Sequence, residues 1–210
     1  MLPIALFAAF LAVSAPLERV LEQWPADSLL APLRRYEHLH RRSAQAAEAS
    51  MMLGHLHMAR AEYRLAADAF GRAAAGFDPP HKDEALYWTG IAWLGVPDAR
   101  RARAKLQEVE SDATPRRNDA TLGIAIAWSL EGHPDRALKI LTRLVAKNPG
   151  ESGPAALERL AALADRSGGR DVARRARERL LRDYPRSFEA QGVGLDGEGP
   201  RAPSPSRSEP

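Results

Sequence analysis

Two pairs of histidines are the side chains of this chain most suggestive of metal chemistry, His38 with His40 and His55 with His57. Residues two apart on a helix point to opposite faces, so neither pair can hold one ion. There is no cysteine, which excludes disulfides, thiolate metal sites and a cysteine nucleophile. No glycine-rich phosphate loop, nucleophile elbow or zinc-type spacing occurs. The sequence therefore predicts a protein that is not an enzyme and that has no cofactor and no metal site.

A second candidate for chemistry is a run of arginines near the C-terminal end. Asp171, Glu178 and Asp183 interrupt the run, and the net charge of the whole chain is only +3. Nucleic-acid binding requires a basic stripe with aromatic side chains between the charges, so we expect no nucleic-acid partner. The run could instead contact an acidic partner or anionic lipid headgroups, and the second case would mean peripheral membrane association. The arginines are Arg170, Arg174, Arg175, Arg177, Arg179, Arg182 and Arg186.

The two ends of the chain differ in composition from its middle. Residues 2–17, LPIALFAAFLAVSAPL, carry no charge but are fewer than the roughly 20 residues that span a bilayer. The run is typical of the apolar core of a secretory signal, with Val13 and Ala15 as the small residues before a cleavage site. We therefore expect a signal peptide over residues 1–15 and a location in the periplasm or cell envelope. A buried N-terminal helix in a cytoplasmic protein is the alternative. Residues 190–210 are rich in Gly, Pro and Ser, which predicts disorder.

Between these ends the sequence repeats itself with a period near 35 residues. Four segments align, at intervals of 36, 35 and 36 residues, and a proline closes each one. A period of this size indicates a solenoid of helix pairs, and the low aromatic content, 6%, also favours an all-α fold. The segments begin at Ala47, Asp83, Asn118 and Pro154, and the closing prolines are Pro79, Pro115, Pro149 and Pro185.

Small residues recur at fixed places in the four segments. A recurring alanine or glycine in a helix pair marks a place where two helix backbones come close. The third place holds Ala49, Ala85, Ala120 and Ala156; the twentieth holds Ala66, Ala102, Ala137 and Ala173; the eighth holds Gly54, Gly90, Ala125 and Ala161. We therefore predict that these residues lie between packed helices.

This pattern resembles the tetratricopeptide repeat (TPR) over about residues 47–187. The resemblance implies an all-α, right-handed superhelix of about four helix-turn-helix units, here spanning residues 47–189. Residues 16–46 would form N-terminal capping helices or a degenerate repeat. Arg177 stands where the family has an apolar anchor, as in a polar end cap. The turns within the units suggest Asp98, Asp135 and Asp171 as helix N-caps.

In this repeat family the first helix of each unit lines a concave groove that binds partners. Carried over to this chain, the groove is apolar in its first three units and acidic towards its end. We expect it to hold an extended peptide or an amphipathic helix of a protein partner. The equally open alternative is that residues 17–43 of the chain itself cover it. The predicted groove residues are Met51, His55, Met58, Tyr87, Ile91, Leu94, Leu122, Ile126 and Leu130.

A second resemblance is to the repeat domain of the Tol-Pal-associated periplasmic coordinator family. It rests on the run Ala85–Trp88 and on Tyr184 followed by Pro185. The N-terminal coiled coil of that family is lacking, so its trimerisation is not implied. We expect a non-enzymatic protein–protein interaction scaffold of the bacterial cell envelope. The alternatives are a helical accessory subunit of an envelope enzyme or assembly complex, and a cytosolic TPR adaptor.

Overall fold

The computed structural model describes residues 17, 20–21, 28–41, 43–78, 81–96, 98–109, 114–147 and 149–193. Every regular element in these stretches is a helix, which confirms the all-α prediction. The predicted signal peptide and residues 194–210 of the predicted tail lie outside the described residues. Of the helices that the structure describes, none combines the length and the apolar character that a membrane span requires.

The helices follow one another in pairs joined by short turns. In each repeat, the first helix begins one to three residues before the start that the sequence suggested. A 3₁₀ turn, Gly150–Ser152, precedes one of them. The helices of the described part are α1 Leu30–Leu39, α2 Ala44–Ala59, α3 Tyr63–Gly76, α4 His81–Gly95, α5 Ala99–Gln107, α6 Arg117–Leu130, α7 Pro134–Ala146, α8 Gly153–Arg166, α9 Arg170–Asp183 and α10 Phe188–Gln191.

The chain folds into two compact units, and the first of them ends at Glu131. It contains α1 to α6, and each of these helices packs against the next one along the chain. Helix α4 also contacts α6, so the first helices of two successive pairs are neighbours. The core of this unit is continuous from Met51 on α2 to Ala120 on α6, with Phe70 and Leu106 fully buried between them.

The recurring small residues lie where the repeat predicted them, between packed helices. The alanines at the third and twentieth places are at most 1% exposed. At the eighth place, Gly54 faces the ring of Phe70, and Gly90 faces the side chain of Leu106. A methyl group on either glycine would approach the facing carbons to 2.5 Å, so only glycine fits opposite these larger side chains. The close approach of helices inferred from small residues is therefore confirmed.

Several turns between consecutive helices contain one residue in the left-handed region of the backbone. Gly132 and Gly168 fill this position with φ +79°, and Ala61 fills it in the first pair with φ +57°. Of the three predicted N-caps, Asp98 is confirmed, because its side chain accepts a hydrogen bond from the amide of Arg101. Asp135 and Asp171 were wrong predictions, because both helices start earlier and place these residues in the first turn.

The N-terminal part of the first unit packs on the outer end of the first helix pair. Leu17, Leu33 and Tyr36 form one buried cluster with Met52 and Leu53 of α2. All five side chains are at most 7% exposed. The described N-terminal residues thus extend the stack of helices, as either a cap or a degenerate repeat would.

The second unit starts at Gly132 and contains α7 to α10. Helix α8 packs against both α7 and α9, and the short α10 closes the unit against α8 and α9. On α7, the buried residues Ala137, Leu141, Leu144 and Val145 recur with helical spacing and form one apolar face. On α9, Arg177 is half-buried and pairs with Asp165 of α8, as expected of a polar face on a terminal repeat.

Candidate functional site: the first-helix surface of the first unit

The nine predicted groove residues all lie on α2, α4 and α6, within the first unit. Met51 is only 2% exposed and belongs to the core, so it supports this surface from below rather than lining it. Leu130 is 63% exposed at the end of α6. The remaining seven are half-buried: His55, Met58, Tyr87, Ile91, Leu94, Leu122 and Ile126. The three helices therefore present a partly exposed, mainly apolar surface.

An arginine that the repeat did not reveal joins the N-terminal ends of α4 and α6. The Arg116 guanidinium donates two hydrogen bonds to the Glu84 carboxylate, Nε to Oε2 at 2.5 Å and Nη2 to Oε1 at 2.7 Å. A third bond runs from Nη1 to Asp119 at 3.0 Å. The same guanidinium lies over the rings of Tyr87 and Trp88, 5.0 and 5.9 Å from their centroids. We call these five residues the Arg116 cluster.

The charges of the Arg116 cluster are fixed by this geometry. The hydrogen bonds that Arg116 donates to Glu84 and Asp119 raise the pKa of Arg116, so it is always charged. Burial raises the pKa of Tyr87 to about 12, with a smaller contribution from Asp119, so its phenol stays neutral. The Trp88 indole donates to Glu84 at 2.7 Å. The cluster is therefore a satisfied polar network at one end of the apolar surface.

His55 connects α2 to the same region through aromatic contacts. Its ring meets Phe70 and Trp88 edge to face, both at 4.9 Å between centroids. Burial lowers the pKa of His55 to about 4, with the charge of Arg116 acting in the same direction and that of Glu84 against it. Its imidazole is therefore neutral at pH 7 and behaves as an aromatic side chain of this surface.

The paired histidines have separate roles. His57 is buried, and its Nδ1 lies 2.5 Å from a Glu62 carboxylate oxygen, whereas His55 faces the aromatic rings. His38 accepts a hydrogen bond from Arg41, and His40 stacks on Tyr36. Within the part of the chain that the structure describes, no three His, Asp or Glu side chains form a metal-binding group.

The described N-terminal residues belong to a buried cluster that contains none of the predicted groove residues. The buried cluster that they form with α2 uses Ala49, Met52 and Leu53, together with Ala69 of α3. None of the nine predicted groove residues belongs to that cluster.

The arginines of α9 are partly neutralised by neighbouring acids. Arg174 pairs with Asp171, and both Arg179 and Arg182 pair with Asp183. These side chains are mostly exposed, so the pairs are screened by water and salt. The basic character of this helix is thus weaker than the count of its arginines suggests.

The Arg116 cluster is the feature of this surface that sequence reasoning missed. Arg116 follows the closing Pro115 of the second segment, outside the helical places from which the groove residues were chosen. Its link to Glu84 spans 32 residues. No periodic pattern marks such a contact, because only the packing of α4 beside α6 brings the two side chains together.

No protein-family model matches the sequence, and no curated protein matches it either. Solved structures of similar shape exist at low sequence identity. The crystal structure of YrrB, a TPR protein with an unusual peptide-binding site, has a TM-score of 0.60 and 19% identity over 83% of this chain and 84% of its own. The TPR-like repeats of a putative kinesin light chain from Podosopora anserina have a TM-score of 0.63 and 16% identity over 81% of this chain and 93% of theirs.

A third similar structure is that of PilF from Pseudomonas aeruginosa. It has a TM-score of 0.53 and 18% identity, over 81% of this chain and 90% of its own. Identities of this size indicate a shared fold only. Together with the helix pairs and the buried alanines, they confirm the fold that the repeat predicted. The chain has the fold of the tetratricopeptide-repeat proteins.

Proposed function

We propose that this protein is a non-enzymatic scaffold of the bacterial cell envelope that binds a peptide or helix of a protein partner on α2, α4 and α6. The observation that carries the proposal is the row of half-buried apolar side chains on these three helices. Met58, Ile91, Leu94, Leu122 and Ile126 are neither fully buried nor fully exposed. Proteins with this fold typically act as protein–protein interaction modules.

The chemistry of the surface favours an amphipathic partner. Each apolar side chain of the partner that becomes fully buried against this surface would stabilise the complex by about 1.5–3 kcal/mol, before the entropic cost of ordering the two chains. The carboxylates of Glu84 and Asp119 in the Arg116 cluster, half-buried and bound by Arg116, add a polar end to this apolar surface. YrrB, whose structure is described as having an unusual peptide-binding site, is a precedent for peptide binding on this fold.

The binding surface is tested with a charge-inserting pair of substitutions, Ile91→Asp with Ile126→Asp. The variant and the wild-type chain are used to capture partners from an envelope extract after cross-linking. Leu65→Asp with Leu39→Asp is the matched control, because both leucines are exposed, at 46% and 68%, and neither is a predicted groove residue. Circular dichroism checks that all the chains are folded.

We expect the groove variant to lose the partners that the control retains. If a folded groove variant retains every partner, this surface does not bind them. The envelope location is tested separately by mass spectrometry of the N-terminus of the native protein. Cleavage near Ala15 supports export, whereas an intact Met1 in the cytosolic fraction contradicts it.

A further inference from the structure

A pocket of about 510 Å³ lies between α1, the start of α2 and the end of α3. This volume is within the range of small-molecule sites. None of the predicted groove residues lines it, so it is separate from the surface of the proposed function. Its lining residues are Arg34, Glu37, His38, Arg41, Ser43, Ala46, Ala47, Ser50, Arg72, Ala75 and Gly76.

The floor of the pocket is apolar and consists of small residues. They are Ala46 and Ala47 of α2, which are buried, and Ala75 and Gly76 of α3, which are exposed. A methyl group on Gly76 would come within 2.9 Å of the Ala47 side chain, so the end of α3 lies almost against the start of α2. Because these side chains are small, they leave the space above them open.

One wall of the pocket is a fixed network around Glu37. The Arg72 guanidinium donates to the Glu37 carboxylate, Nε to Oε1 at 2.6 Å and Nη2 to Oε2 at 3.4 Å. The buried Ser50 hydroxyl donates to the same Oε1 at 2.5 Å. Burial tends to raise the pKa of Glu37, but these bonds and the charges of Arg72 and Arg34 outweigh it and lower the pKa. Glu37 is thus ionised, and Arg72 compensates its charge.

Two further cations surround the opening. Arg34 and Arg41 are exposed residues that line the pocket, and Arg41 is oriented by a hydrogen bond to His38. The three arginines and one carboxylate among the lining residues leave a net charge of about +2 at pH 7. The N-terminus of α2 adds its partial positive charge on the same side, since its N-cap Ser43 and Ala46 of its first turn also line the pocket.

We propose that this pocket binds a phosphate monoester that carries a small apolar group. A phosphate monoester has a charge of about −1.5 to −2 at pH 7, which matches the net charge of the lining residues. Arg34 and Arg41 bind its oxygens, for which guanidinium groups have the right geometry. The alanine floor receives the apolar group. The monoester comes either from a free small molecule or from a phosphorylated side chain of a partner.

The proposal is tested by isothermal titration calorimetry on the full chain with phenyl phosphate, benzoate and inorganic phosphate. We expect phenyl phosphate to bind at least tenfold more tightly than either of the others, because only it combines the dianion with an apolar body. Equal binding of all three, or no binding of phenyl phosphate, overturns the proposal.

Matched arginine variants locate the binding. Arg34→Ala with Arg41→Ala removes two charges at the pocket, and Arg35→Ala with Arg64→Ala removes two exposed charges that do not line it. We expect the first pair to weaken phenyl phosphate binding at least tenfold and the second pair to change it less than twofold. Equal effects of the two pairs mean that only the overall charge matters, and they refute the site.

The source of the monoester is resolved with a short peptide that contains phosphotyrosine. Tighter binding of the peptide than of phenyl phosphate, lost in the Arg34→Ala with Arg41→Ala variant, indicates a phosphorylated partner. Weaker binding of the peptide indicates a free small molecule. The groove variant Ile91→Asp with Ile126→Asp should bind phenyl phosphate as the wild type does, so failure of the proposed function leaves this result unchanged.

Discussion

Replacing Gly54 with alanine tests whether the helix pairs pack as closely as the structure shows. Alanine usually stabilises a helix interior by about 1 kcal/mol relative to glycine. At Gly54, however, the added methyl group would lie 2.5 Å from Cδ1 and Cε1 of Phe70 and 2.8 Å from Cζ. These distances are far below van der Waals contact, so either the ring or the helix must move.

The expected cost follows from what surrounds the ring. Phe70 is fully buried, and its ring also contacts His55 and stacks near Trp88. Overpacking of a core costs about 1–3 kcal/mol, and the three clashing ring atoms argue for the upper end. After the helix-propensity gain, we expect Gly54→Ala to lower the free energy of unfolding by about 2 kcal/mol.

Gly71→Ala is the matched control, because Gly71 also lies inside a helix of the first pair. No neighbouring atom lies within 4 Å of its Cβ position, so the same substitution should stabilise by about 1 kcal/mol. The free energies of unfolding are measured in urea by circular dichroism and by tryptophan fluorescence, and coincident transitions justify a two-state treatment. If Gly54→Ala is as stable as Gly71→Ala, the close packing of α2 on α3 is refuted.

Three further predictions concern the same unit. The free energy of unfolding should fall by up to about 3 kcal/mol between pH 6.5 and pH 4, because His55 has its ordinary pKa of 6.5 in the unfolded chain and a pKa of about 4 in the folded chain. In His55→Phe, the free energy of unfolding should depend less on pH over this range. A double-mutant cycle of Glu84→Gln and Arg116→Gln should give a coupling energy of about 1–2 kcal/mol in urea unfolding, since the pair is bidentate and mostly shielded. Ala61→Gly should raise the free energy of unfolding by about 0.5 kcal/mol, because glycine removes the strain of φ +57°.

Each of these predictions has a result that would contradict it. If the free energy of unfolding falls equally with pH in the wild type and in His55→Phe, His55 is not the group whose protonation destabilises the fold. The exposed pair Lys105 and Glu108, 2.8 Å apart, is the reference for the cycle, with an expected coupling of about 0–0.5 kcal/mol. A Glu84–Arg116 coupling energy no larger than this would show that the ion pair does not stabilise the fold. Destabilisation by Ala61→Gly would mean that the turn is not strained.

Much of the fold could be predicted because each helix pair repeats the same local problem. The buried places of every pair need small residues where backbones meet, so Ala49, Ala85, Ala120 and Ala156 recur at one period and reveal the architecture. The bounds of the helices were less accurate. Asp135 and Asp171 resemble N-caps in sequence, but Pro134 and Arg170 already lie within their helices.

The candidate binding surface was only partly accessible to the same reasoning. Helical spacing places Ile91 and Ile126 on first helices, and both are indeed half-buried. Spacing could not tell that Met51 is core, because burial depends on how deeply the neighbouring pair packs over it. It also could not show that His55 lies between two aromatic rings from other helices.

By itself the sequence determined the helical class, the repeat and its small-residue contacts, since these arise from interactions between residues close along the chain. Tertiary structure alone decided the link of Arg116 to Glu84, across 32 residues, and that of Arg72 to Glu37, across 35. Such contacts leave no periodic trace, because a charged side chain meets its partner only after the helices have stacked.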